Sequence, residues 1–340
     1  MAKILITGIA GFIGSALAQR LSTTKDEIVG IDNLNSYYDL TLKKDRMKNL
    51  GIDLESIDEG KTVKSTEYPN LSFIKADITD VSELENIFKT YNFDYVVHLA
   101  AQAGIRYSFK HPETYVNVNI IGTFNVFELS KKYDTKHLLY ASSSSVYGDT
   151  DEEILSVDMK CDTPLNMYAA SKKSNELMAH SYASLHKIKV TGLRFFTVYG
   201  PWGRPDMAPM IFADAITSNG TINLFNHGDM YRDFTYIDDI VEGIVLILKN
   251  EPKDNYNIFN IGNSAPVNMN DFVTIMQEKF QKKADIKYLP MQKGEVHKTY
   301  ADISKIKEHY NFSPKTNIKD GIEKFVSWYK EYYGIDKCAE

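Results

Sequence analysis

The sequence predicts an α/β protein with a doubly wound parallel sheet and a smaller C-terminal α/β region. Three observations support this fold class. Short apolar runs alternate with longer amphipathic segments through the first two thirds of the chain, a rhythm typical of a parallel sheet covered by helices on both faces. A glycine-rich turn follows the first apolar run. Beyond Gly200, prolines and glycines interrupt the pattern, which indicates that the chain leaves the sheet.

The elements follow in order along the chain. The apolar runs predict strands at residues 3–7, 27–31, 71–75, 95–99, 136–141, 189–194 and 258–261. Helical spacing of apolar residues predicts helices at 12–21, 81–89, 114–133, 168–186, 236–248, 271–280 and 318–332. Residues 36–70 are charged and polar, and we interpret them as a solvated surface insertion with one helix near 40–50. We expect a first domain over 1–195, with returning segments near 235–262, and a second region over 196–340.

Composition narrows the class of protein. The 340 residues are 43% hydrophobic and 25% charged, which is typical of a soluble globular protein. The chain has 39 basic and 45 acidic side chains, so its net charge is negative and gives no reason to expect a nucleic-acid partner. No apolar run is long enough to cross a membrane and no leader is evident, so we expect no membrane partner. Cys161 and Cys338 stand alone, which predicts no structural zinc and a reducing, cytoplasmic location.

The clearest motif is a GxxGxxG turn made by Gly8, Gly11 and Gly14 between the first strand and the first helix. Such glycines let a pyrophosphate approach the helix N-terminus, where free N–H groups favour anions. Asp32 ends the second strand. A carboxylate at this position can bind the ribose hydroxyls of a dinucleotide and would repel a 2′-phosphate. The alternative is that Asp32 only stabilises the turn after the strand. The motif predicts a Rossmann-type domain that binds NAD rather than NADP. Asp77, after the third strand, either reaches the adenine or caps a helix.

A second motif places Tyr168 and Lys172 four residues apart on a predicted helix, so the two side chains share a face. A tyrosine is a weak base because its ordinary pKa is about 10, and a neighbouring ammonium favours the phenolate. The pair can then accept a hydroxyl proton while hydride leaves the same carbon. Serines at 142–145 follow a strand, at the sheet edge where parallel sheets bind ligands. The alternative for the pair is an ordinary contact on a helix surface.

These motifs, with the segment His98-Leu99-Ala100-Ala101, resemble the extended short-chain dehydrogenase/reductase superfamily and, within it, the nucleotide-sugar epimerases. More narrowly, the chain is similar to the UDP-glucuronate 4-epimerases in residues 101–108, 192–207, 232–239, 294–296 and 300–302. The matching motifs run from residue 4 to about residue 305. The resemblance therefore covers nearly the whole chain.

The resemblance implies a role for each matching position. It implies NAD binding by Gly8, Gly11, Phe12, Ile13, Gly14, Asp32, Asn33, Asn35, Asp77, Ile78, Leu99, Ala100, Ala101, Asn119, Tyr168 and Lys172. It implies a catalytic group of Tyr168, Lys172 and Ser143. It implies UDP-sugar binding by Ser143, Tyr168, Arg232 and Glu295. To these we add Ser144, Ser145, Thr197, Arg204 and Arg106 as further candidates for binding the UDP-sugar. Relatives usually carry Asp where this chain has Glu295, and some carry arginine where it has Gln292.

The implied reaction is reversible, NAD-dependent inversion at C4 of a UDP-hexuronate through a transient 4-keto sugar. Related dehydratases carry Asp-Glu, and related decarboxylases a Glu, where this chain has Ser144 and Ser145, which do no acid/base work at pH 7. Arg204 can bind the C5 carboxylate at two points, with Thr197 as a further donor, although a surface salt bridge is its alternative role. A neutral UDP-sugar 4-epimerase, a UDP-glucuronate decarboxylase and a non-catalytic NAD sensor remain alternatives.

Three further expectations concern two helices, a histidine and an arginine. The resemblance implies a homodimer that pairs through the helices at 114–133 and 168–186. We expect His98 to be a histidine packed in the core rather than a catalytic group. Arg106 either approaches the substrate phosphates or bonds its own backbone.

Overall fold

A computed structural model describes residues 1–54, 57, 59–292 and 294–335, so Cys338 lies outside the described residues. The strands are β1 (Lys3–Thr7), β2 (Glu27–Asp32), β3 (Thr62–Lys64), β4 (Leu71–Lys75), β5 (Tyr95–His98), β6 (His137–Ser143), β7 (Val190–Phe195), β8 (Thr197–Tyr199), β9 (Thr221–Leu224), β10 (Tyr231–Tyr236), β11 (Tyr256–Ile261), β12 (Pro266–Asn268) and β13 (Asp285–Tyr288). The helices are α1 (Phe12–Ser22), α2 (Thr41–Asn49), α3 (Val81–Tyr91), α4 (Ile105–Ser108), α5 (Pro112–Thr114), a π-helix (Tyr115–Gly122), α6 (Thr123–Lys132), a 3₁₀ helix (Ser144–Tyr147), α7 (Met167–His186), α8 (Ala208–Thr217), α9 (Ile237–Lys249), α10 (Met269–Phe280), α11 (Ser304–Tyr310) and α12 (Ile318–Tyr333).

The chain divides into two compact units. The first consists of Met1–Gly148, Lys160–Arg194 and Val241–Phe259. The second consists of Asp149–Met159, Phe195–Ile240 and the described residues from Asn260 onward. No helix in the described part of the chain combines the length and the apolar character that a membrane crossing requires.

The first unit is built on one large sheet. Among the described residues, eight strands follow the order β11-β7-β6-β5-β1-β2-β4-β3. The pairs β1–β2, β1–β5, β2–β4 and β5–β6 are parallel, and the edge strand β3 is antiparallel to β4. These strands are apolar along their length because a parallel sheet is covered on both faces. The expected doubly wound parallel sheet is confirmed.

The strand order reverses at β1. From β1 the chain proceeds to β2 and β4 on one side, and it then returns to β5 and β6 on the other. Ligands of open α/β sheets bind outside the carboxyl ends of the strands at such a reversal. The segments that follow β1, β2 and β5 are therefore the ones that the fold assigns to a ligand crevice.

The expectation of a solvated insertion over residues 36–70 is wrong for its helix. Helix α2 buries Leu42, Lys43, Arg46 and Met47. Both charged side chains have partners. The ammonium of Lys43 lies 3.4 Å from the carboxylate of Asp32. Arg46 donates to a backbone carbonyl oxygen and to a tyrosine hydroxyl. Buried charges of this kind require such pairing.

The predicted continuous helix at 114–133 contains a widened turn. Residues Tyr115–Gly122 form a π-helix between α5 and α6. A π-helix closes its hydrogen bonds over one more residue per turn than an α-helix and occurs most often at functional sites. Asn119, at the centre of this segment, is fully buried. Its side-chain bonds, described with the site, hold the widened turn in place.

The second unit contains smaller sheets. Strand β10 pairs in parallel with β8 and antiparallel with β12, and β9 pairs in parallel with β13. The rings of Phe234 and Phe272 stack with centroids 4.3 Å apart in its core. The buried carboxylate of Asp233 accepts the backbone N–H groups of Asn263, at 2.7 Å, and Ala301, at 3.0 Å. Asp233 thus connects two loops to β10. It is the residue next to Arg232 on this strand.

Candidate active site

The turn between β1 and α1 is closed by three glycines. Gly8 has a φ of +76°, and a Cβ there would lie 2.8 Å from the backbone nitrogen of Ala100. A Cβ on Gly14 would lie 2.2 Å from the carbonyl oxygen of Gly8. Gly11 caps α1 without a side-chain hydrogen bond. The turn therefore suits an anion at the helix N-terminus, as a dinucleotide pyrophosphate requires.

Asp32 joins this turn to the second strand. Its Oδ2 accepts the N–H of Ala10 at 3.2 Å, and its Oδ1 accepts the N–H of Leu34 at 2.8 Å. The ammonium of Lys43 donates to Oδ1 of Asp32 at 3.4 Å and to the side-chain oxygen of Asn35 at 3.1 Å. The bond to Leu34 shows that Asp32 stabilises the turn after β2, as the alternative interpretation expected. The bond to Ala10 shows that it also contacts the glycine-rich turn.

Asp77 is a turn acid rather than a helix cap. Its carboxylate accepts the side-chain N–H of Asn33 at 2.7 Å and the backbone N–H of Thr79 at 2.8 Å. Burial raises the pKa of Asp77, but these hydrogen bonds outweigh it and hold the pKa below its ordinary value. Helix α3 is capped by Asp80, so the alternative that Asp77 caps the helix is wrong. The bond to Asn33 joins the segments after β2 and β4.

The remaining positions expected at the cofactor lie in the first unit: Phe12 and Ile13 open α1, Ile78 follows β4, and Leu99, Ala100 and Ala101 follow β5. Ala100 donates its N–H to the hydroxyl of Thr7, at the end of β1, at 3.1 Å. This bond fixes the segment after β5 against β1.

The catalytic candidates come from α7 and β6. Tyr168 and Lys172 lie one turn apart on α7. The Nζ of Lys172 donates to the carbonyl oxygen of Ala141 at 2.8 Å, two residues before Ser143. The hydroxyl of Ser143 accepts the N–H of Ser145 at 3.2 Å, and Ser144 opens the 3₁₀ helix that follows. One lysine bond therefore holds the helix that carries the tyrosine against the strand that carries the serine.

Lys172 is fully enclosed, and burial lowers the pKa of its ammonium to about 8. The residue before it is fixed by the π-helix, because Asn119 donates to the hydroxyl of Ser171 at 3.0 Å. Asn119 also exchanges hydrogen bonds of 2.7 and 3.0 Å with the backbone of Gln102. It thus connects the segment after β5 to α7, and its role toward a cofactor stays a prediction.

His98 is a packed core histidine, as expected. Its Nδ1 lies 2.7 Å from the hydroxyl of Thr7 and its Nε2 lies 3.0 Å from that of Thr123. Burial lowers the pKa of His98 to about 3, so the ring is neutral at physiological pH.

A buried ion pair continues the face of α7 that carries Tyr168 and Lys172. Glu176, one turn beyond Lys172, accepts two hydrogen bonds from Arg194 of β7, at 2.8 and 2.9 Å. Its carboxylate also accepts the hydroxyl of Ser142 at 2.7 Å. Burial alone would lower the pKa of Arg194, but the bonds to Glu176 outweigh it and raise this pKa above its ordinary value. The pair ties α7 to two neighbouring strands.

Thr197 and Arg204 lie in the second unit. Thr197 opens β8, opposite Phe234 in the parallel register. Arg204 donates from Nε and from one terminal nitrogen to the two carboxylate oxygens of Asp206, at 3.0 and 2.6 Å. The salt bridge weighed as the alternative for Arg204 is therefore present, and it shows that this guanidinium can engage a carboxylate at two points.

The structure brings Arg232 and Glu295 together. One terminal nitrogen of Arg232 lies 3.4 Å from a carboxylate oxygen of Glu295, and the other donates to the carbonyl oxygens of Tyr231 and His297 at 2.9 and 3.1 Å. Burial lowers the pKa of Arg232, although Glu295 opposes this shift. Arg106 belongs to the first unit and lies on the short helix α4, with its side chain exposed.

The sequence interpretation missed Lys43 and Arg46. The signal was available, because both lie on the same stripe of α2 as the buried residues Leu42, Met47 and Leu50. A charged residue inside an apolar stripe indicates a buried ion pair or a ligand contact. Glu176 was missed although it stands four residues after Lys172, on the face that also carries Tyr168.

A family model described as NAD dependent epimerase/dehydratase family matches residues 4–262. A curated relative named UDP-glucuronate 4-epimerase 4, from Arabidopsis thaliana, is 39% identical over 99% of this chain and 77% of its own length. A probable UDP-glucuronate 4-epimerase from Rhizobium meliloti is 38% identical over 97% of this chain and 98% of its own length.

Solved structures agree with the sequence relatives. The crystal structure of a UDP-glucuronic acid 4-epimerase from Bacillus cereus, in complex with UDP-glucuronic acid and NAD, superposes with a TM-score of 0.88. It is 33% identical to this chain and covers 97% of it and 100% of the crystallised chain.

Proposed function

Because this chain belongs to the NAD dependent epimerase/dehydratase family, we propose that it inverts C4 of a UDP-hexuronate and interconverts UDP-glucuronate and UDP-galacturonate. One observation carries the catalytic part of the proposal. Tyr168 and Lys172 share a face of α7, and Lys172 is bonded to β6 two residues before Ser143. The relatives named UDP-glucuronate 4-epimerase support the choice of substrate.

NAD is the cofactor, and the first unit offers a site that fits it. The glycine-rich turn leaves no room for a Cβ at Gly8 or Gly14, and Asp32 ends β2 beside it. A carboxylate has about four lone-pair positions, so Asp32 can accept a ribose hydroxyl in addition to the bonds it makes here. When bound, the nicotinamide of NAD would supply the hydride acceptor for oxidation at C4 of the sugar and, once reduced, the hydride donor for the opposite face of the same carbon.

Tyr168 has the role of the base in this proposal. Its phenolate accepts the proton of the sugar O4 as C4 is oxidised, and it returns that proton after the sugar has turned. The buried ammonium of Lys172 stabilises the phenolate electrostatically, since a nearby positive charge favours the ionised form of a tyrosine. Ser143 donates a hydrogen bond to O4 and holds it close to the tyrosine.

The serines beside Ser143 favour epimerisation over related reactions. Loss of water from a 4-keto sugar requires an acid and a base next to the catalytic hydroxyl. Ser144 and Ser145 supply neither at neutral pH, and the hydroxyl of Ser145 is 3.2 Å from that of Ser143. These two residues bind the sugar without catalysing elimination.

Arg204 and Thr197 are proposed to bind the C5 carboxylate. Oxidation at C4 turns the uronate into a β-keto acid, which loses CO2 when the bond to the carboxylate aligns with the π system of the ketone. A two-point grip by a guanidinium, of the kind that Arg204 makes with Asp206, holds the carboxylate out of this alignment. Thr197 adds a hydroxyl donor.

The UDP group is assigned to Arg232, Glu295 and Arg106. The guanidinium of Arg232 is suited to the diphosphate, and the carboxylate of Glu295 to the uridine ribose. We assign cofactor binding to the first unit and substrate binding mainly to the second. A firm grip on UDP leaves the sugar ring free to turn between the two hydride transfers.

We further propose a homodimer and a cytoplasmic location. Helix α7 exposes Leu177 and Leu185, at 63% and 74%, while the π-helix and α6 expose Ile121 and Phe124. Such apolar side chains on two neighbouring helices suit pairing with a second copy of the chain. The chain has only two cysteines, Cys161 and Cys338, and this low count suits a reducing compartment.

The proposal is tested by incubating the purified protein with UDP-glucuronate and no added cofactor. Anion-exchange chromatography is expected to show UDP-galacturonate with little UDP-pentose. Release of a UDP-pentose as the main product would instead identify a decarboxylase. Turnover of UDP-glucose in preference to UDP-glucuronate would identify a neutral-sugar epimerase. NAD binding without turnover of any UDP-sugar would identify a sensor.

A further inference from the structure

Four tyrosine rings form a continuous row in the first unit. The ring of Tyr37 packs edge-on against that of Tyr107, with centroids 5.0 Å apart and an interplanar angle of 73°. Tyr107 lies 6.4 Å from Tyr115, and Tyr115 lies 6.2 Å from Tyr168. These separations fall in the range of attractive aromatic pairs. The row begins at Tyr37, five residues after Asp32, and ends at Tyr168, the proposed base.

The first contact of the row bridges the ligand crevice. Tyr37 belongs to the segment that follows β2, and Tyr107 to the segment that follows β5. These strands are the two neighbours of β1, whose glycine-rich turn is the expected pyrophosphate site. The contact between the two rings therefore joins the segments on either side of that turn.

Both ends of this bridge are anchored. On one side, Arg46 of α2 is 2% exposed and donates to the carbonyl oxygen of Ala10, in the glycine-rich turn, at 3.1 Å. The same nitrogen donates to the hydroxyl of Tyr38, the neighbour of Tyr37, at 2.7 Å. On the other side, the ring of His111 stacks on Tyr107 with centroids 4.4 Å apart.

A second anchor lies beneath the row. The hydroxyl of Tyr115, on the π-helix, donates to the carbonyl oxygens of Ala103, at 3.1 Å, and Gly104. The segment that carries Tyr107 is thus fixed to the helix that supports α7. The bridge is part of a connected structure and is not an isolated surface contact.

The geometry points to the pair Tyr37–Tyr107 as a strap that retains the bound dinucleotide between the two hydride transfers. With the strap closed, the segments after β2 and β5 are held together on either side of the glycine-rich turn, so the contact must open before the cofactor can leave from between them. Arg46 fixes the strap to the turn that binds the pyrophosphate. The strap gives a function to residues 36–50, the first part of the insertion at residues 36–70.

This inference rests on the proposed function, because a C4 epimerase gains from slow release in a particular way. The reaction consumes no cofactor, and its second half needs the hydride that the first half stored. If the cofactor leaves after the first hydride transfer, the 4-keto sugar remains oxidised and the enzyme has no hydride with which to reduce it. A dehydrogenase, in contrast, must exchange its cofactor at every turnover.

The test measures NAD retention in the purified full-length chain. The wild type, Tyr37→Ala, Tyr107→Ala and the double variant are each dialysed in parallel, and the remaining NAD is released with acid and quantified over time. Loss of one aromatic pair is expected to speed NAD release by about threefold to tenfold. Phe109→Ala is the matched control, since Phe109 is an exposed aromatic residue two positions beyond Tyr107.

The NAD release rates of these variants test the strap. If the strap acts as a pair, the double variant releases NAD no faster than either single variant, because two contacting residues are not additive. Tyr37→Phe, which keeps the ring, is expected to retain NAD like the wild type. Equal retention in all variants, or additive effects of the two alanines, overturns the strap and leaves the proposed function standing. A wild type that neither contains nor takes up NAD overturns the proposed function itself.

Discussion

The carboxylate of Glu176 and the guanidinium of Arg194 form a two-point ion pair, with hydrogen bonds of 2.8 and 2.9 Å, and both side chains are buried. Glu176 lies two turns beyond Tyr168 on α7, and Arg194 lies on β7. The pair fixes the rotation of α7 about its axis. The direction in which Tyr168 and Lys172 face therefore depends on a contact made one to two helical turns away from them.

Replacing Glu176 by Gln is expected to lower the free energy of unfolding by about 3–5 kcal/mol, because it leaves the charge of Arg194 buried without a counterion. Urea denaturation followed by circular dichroism measures this change. Glu323→Gln, which removes an exposed partner of Lys279, is the control and is expected to have little effect. Equal stability of the two variants would contradict a structural role for the buried pair.

Replacing Tyr168 by Phe is expected to reduce the rate of C4 inversion by about 10²- to 10⁴-fold, since the proton of the sugar O4 loses its acceptor. NAD content should remain that of the wild type. Tyr333→Phe alters an exposed tyrosine and should leave the rate unchanged. NMR of the sugar H4 resonance follows the conversion directly. Inversion within tenfold of the wild-type rate would exclude Tyr168 as the base.

The rate should fall as the pH rises through about 8, the pKa to which burial lowers Lys172. Above that pH the side chain loses its proton and no longer stabilises the phenolate of Tyr168. Stability should change in the opposite direction. Because the pKa of Lys172 is lower in the folded than in the unfolded chain, where it is about 10.4, its contribution to the unfolding free energy rises between these pH values.

Measuring kcat/KM and urea midpoints from pH 7 to pH 10 on the same preparations separates these effects. Subtracting the stability profile of Lys172→Met from that of the wild type isolates the contribution of this lysine. A rate that falls in step with a falling stability would show that unfolding causes the loss, and a flat rate profile would contradict the role of the ammonium.

Replacing Arg204 by Ala is expected to lower kcat/KM for UDP-glucuronate by about 10- to 100-fold, since a two-point bond to a carboxylate is lost. The variant should also release CO2 and form a UDP-4-keto-pentose, because the carboxylate of the oxidised sugar is then free to align with the ketone. Coupled CO2 detection and mass spectrometry of the nucleotide products check this outcome. Arg20→Ala, which removes an exposed arginine paired with Glu242 at 3.9 Å, serves as control. Unchanged uronate kinetics with no CO2 would place the carboxylate elsewhere.

The sequence predicted the large sheet well because its strands are apolar runs separated by regular helices. It also predicted the glycine-rich turn and the Tyr168–Lys172 spacing, which depend on residue type and local spacing alone. The strands β3, β8, β9, β10, β12 and β13 were not predicted. All except the six-residue β10 have three or four residues, which give too few alternations for a period of two to be recognised.

Other features depend on partners far along the chain. The apolar stripe of α2 indicates that Lys43 and Arg46 are buried, but it does not reveal their partners Asp32 and Ala10, which lie next to them only in the fold. The π-helix was missed for a different reason. Its hydrogen-bonding pattern differs from that of an α-helix by one residue per turn, and over eight residues the two give nearly the same spacing of apolar side chains.

The division of the chain into interleaved segments has a consequence for biosynthesis. The first unit includes Val241–Phe259, which carries most of the edge strand β11, and the second includes Asp149–Met159. A ribosome must therefore translate well past residue 259 before the large sheet can acquire its last strand, and the segment at 149–159 must wait still longer for its partner Ala301. Neither unit corresponds to a contiguous fragment that a single truncation could isolate. Nascent chains stalled near residue 200 should accordingly remain sensitive to protease.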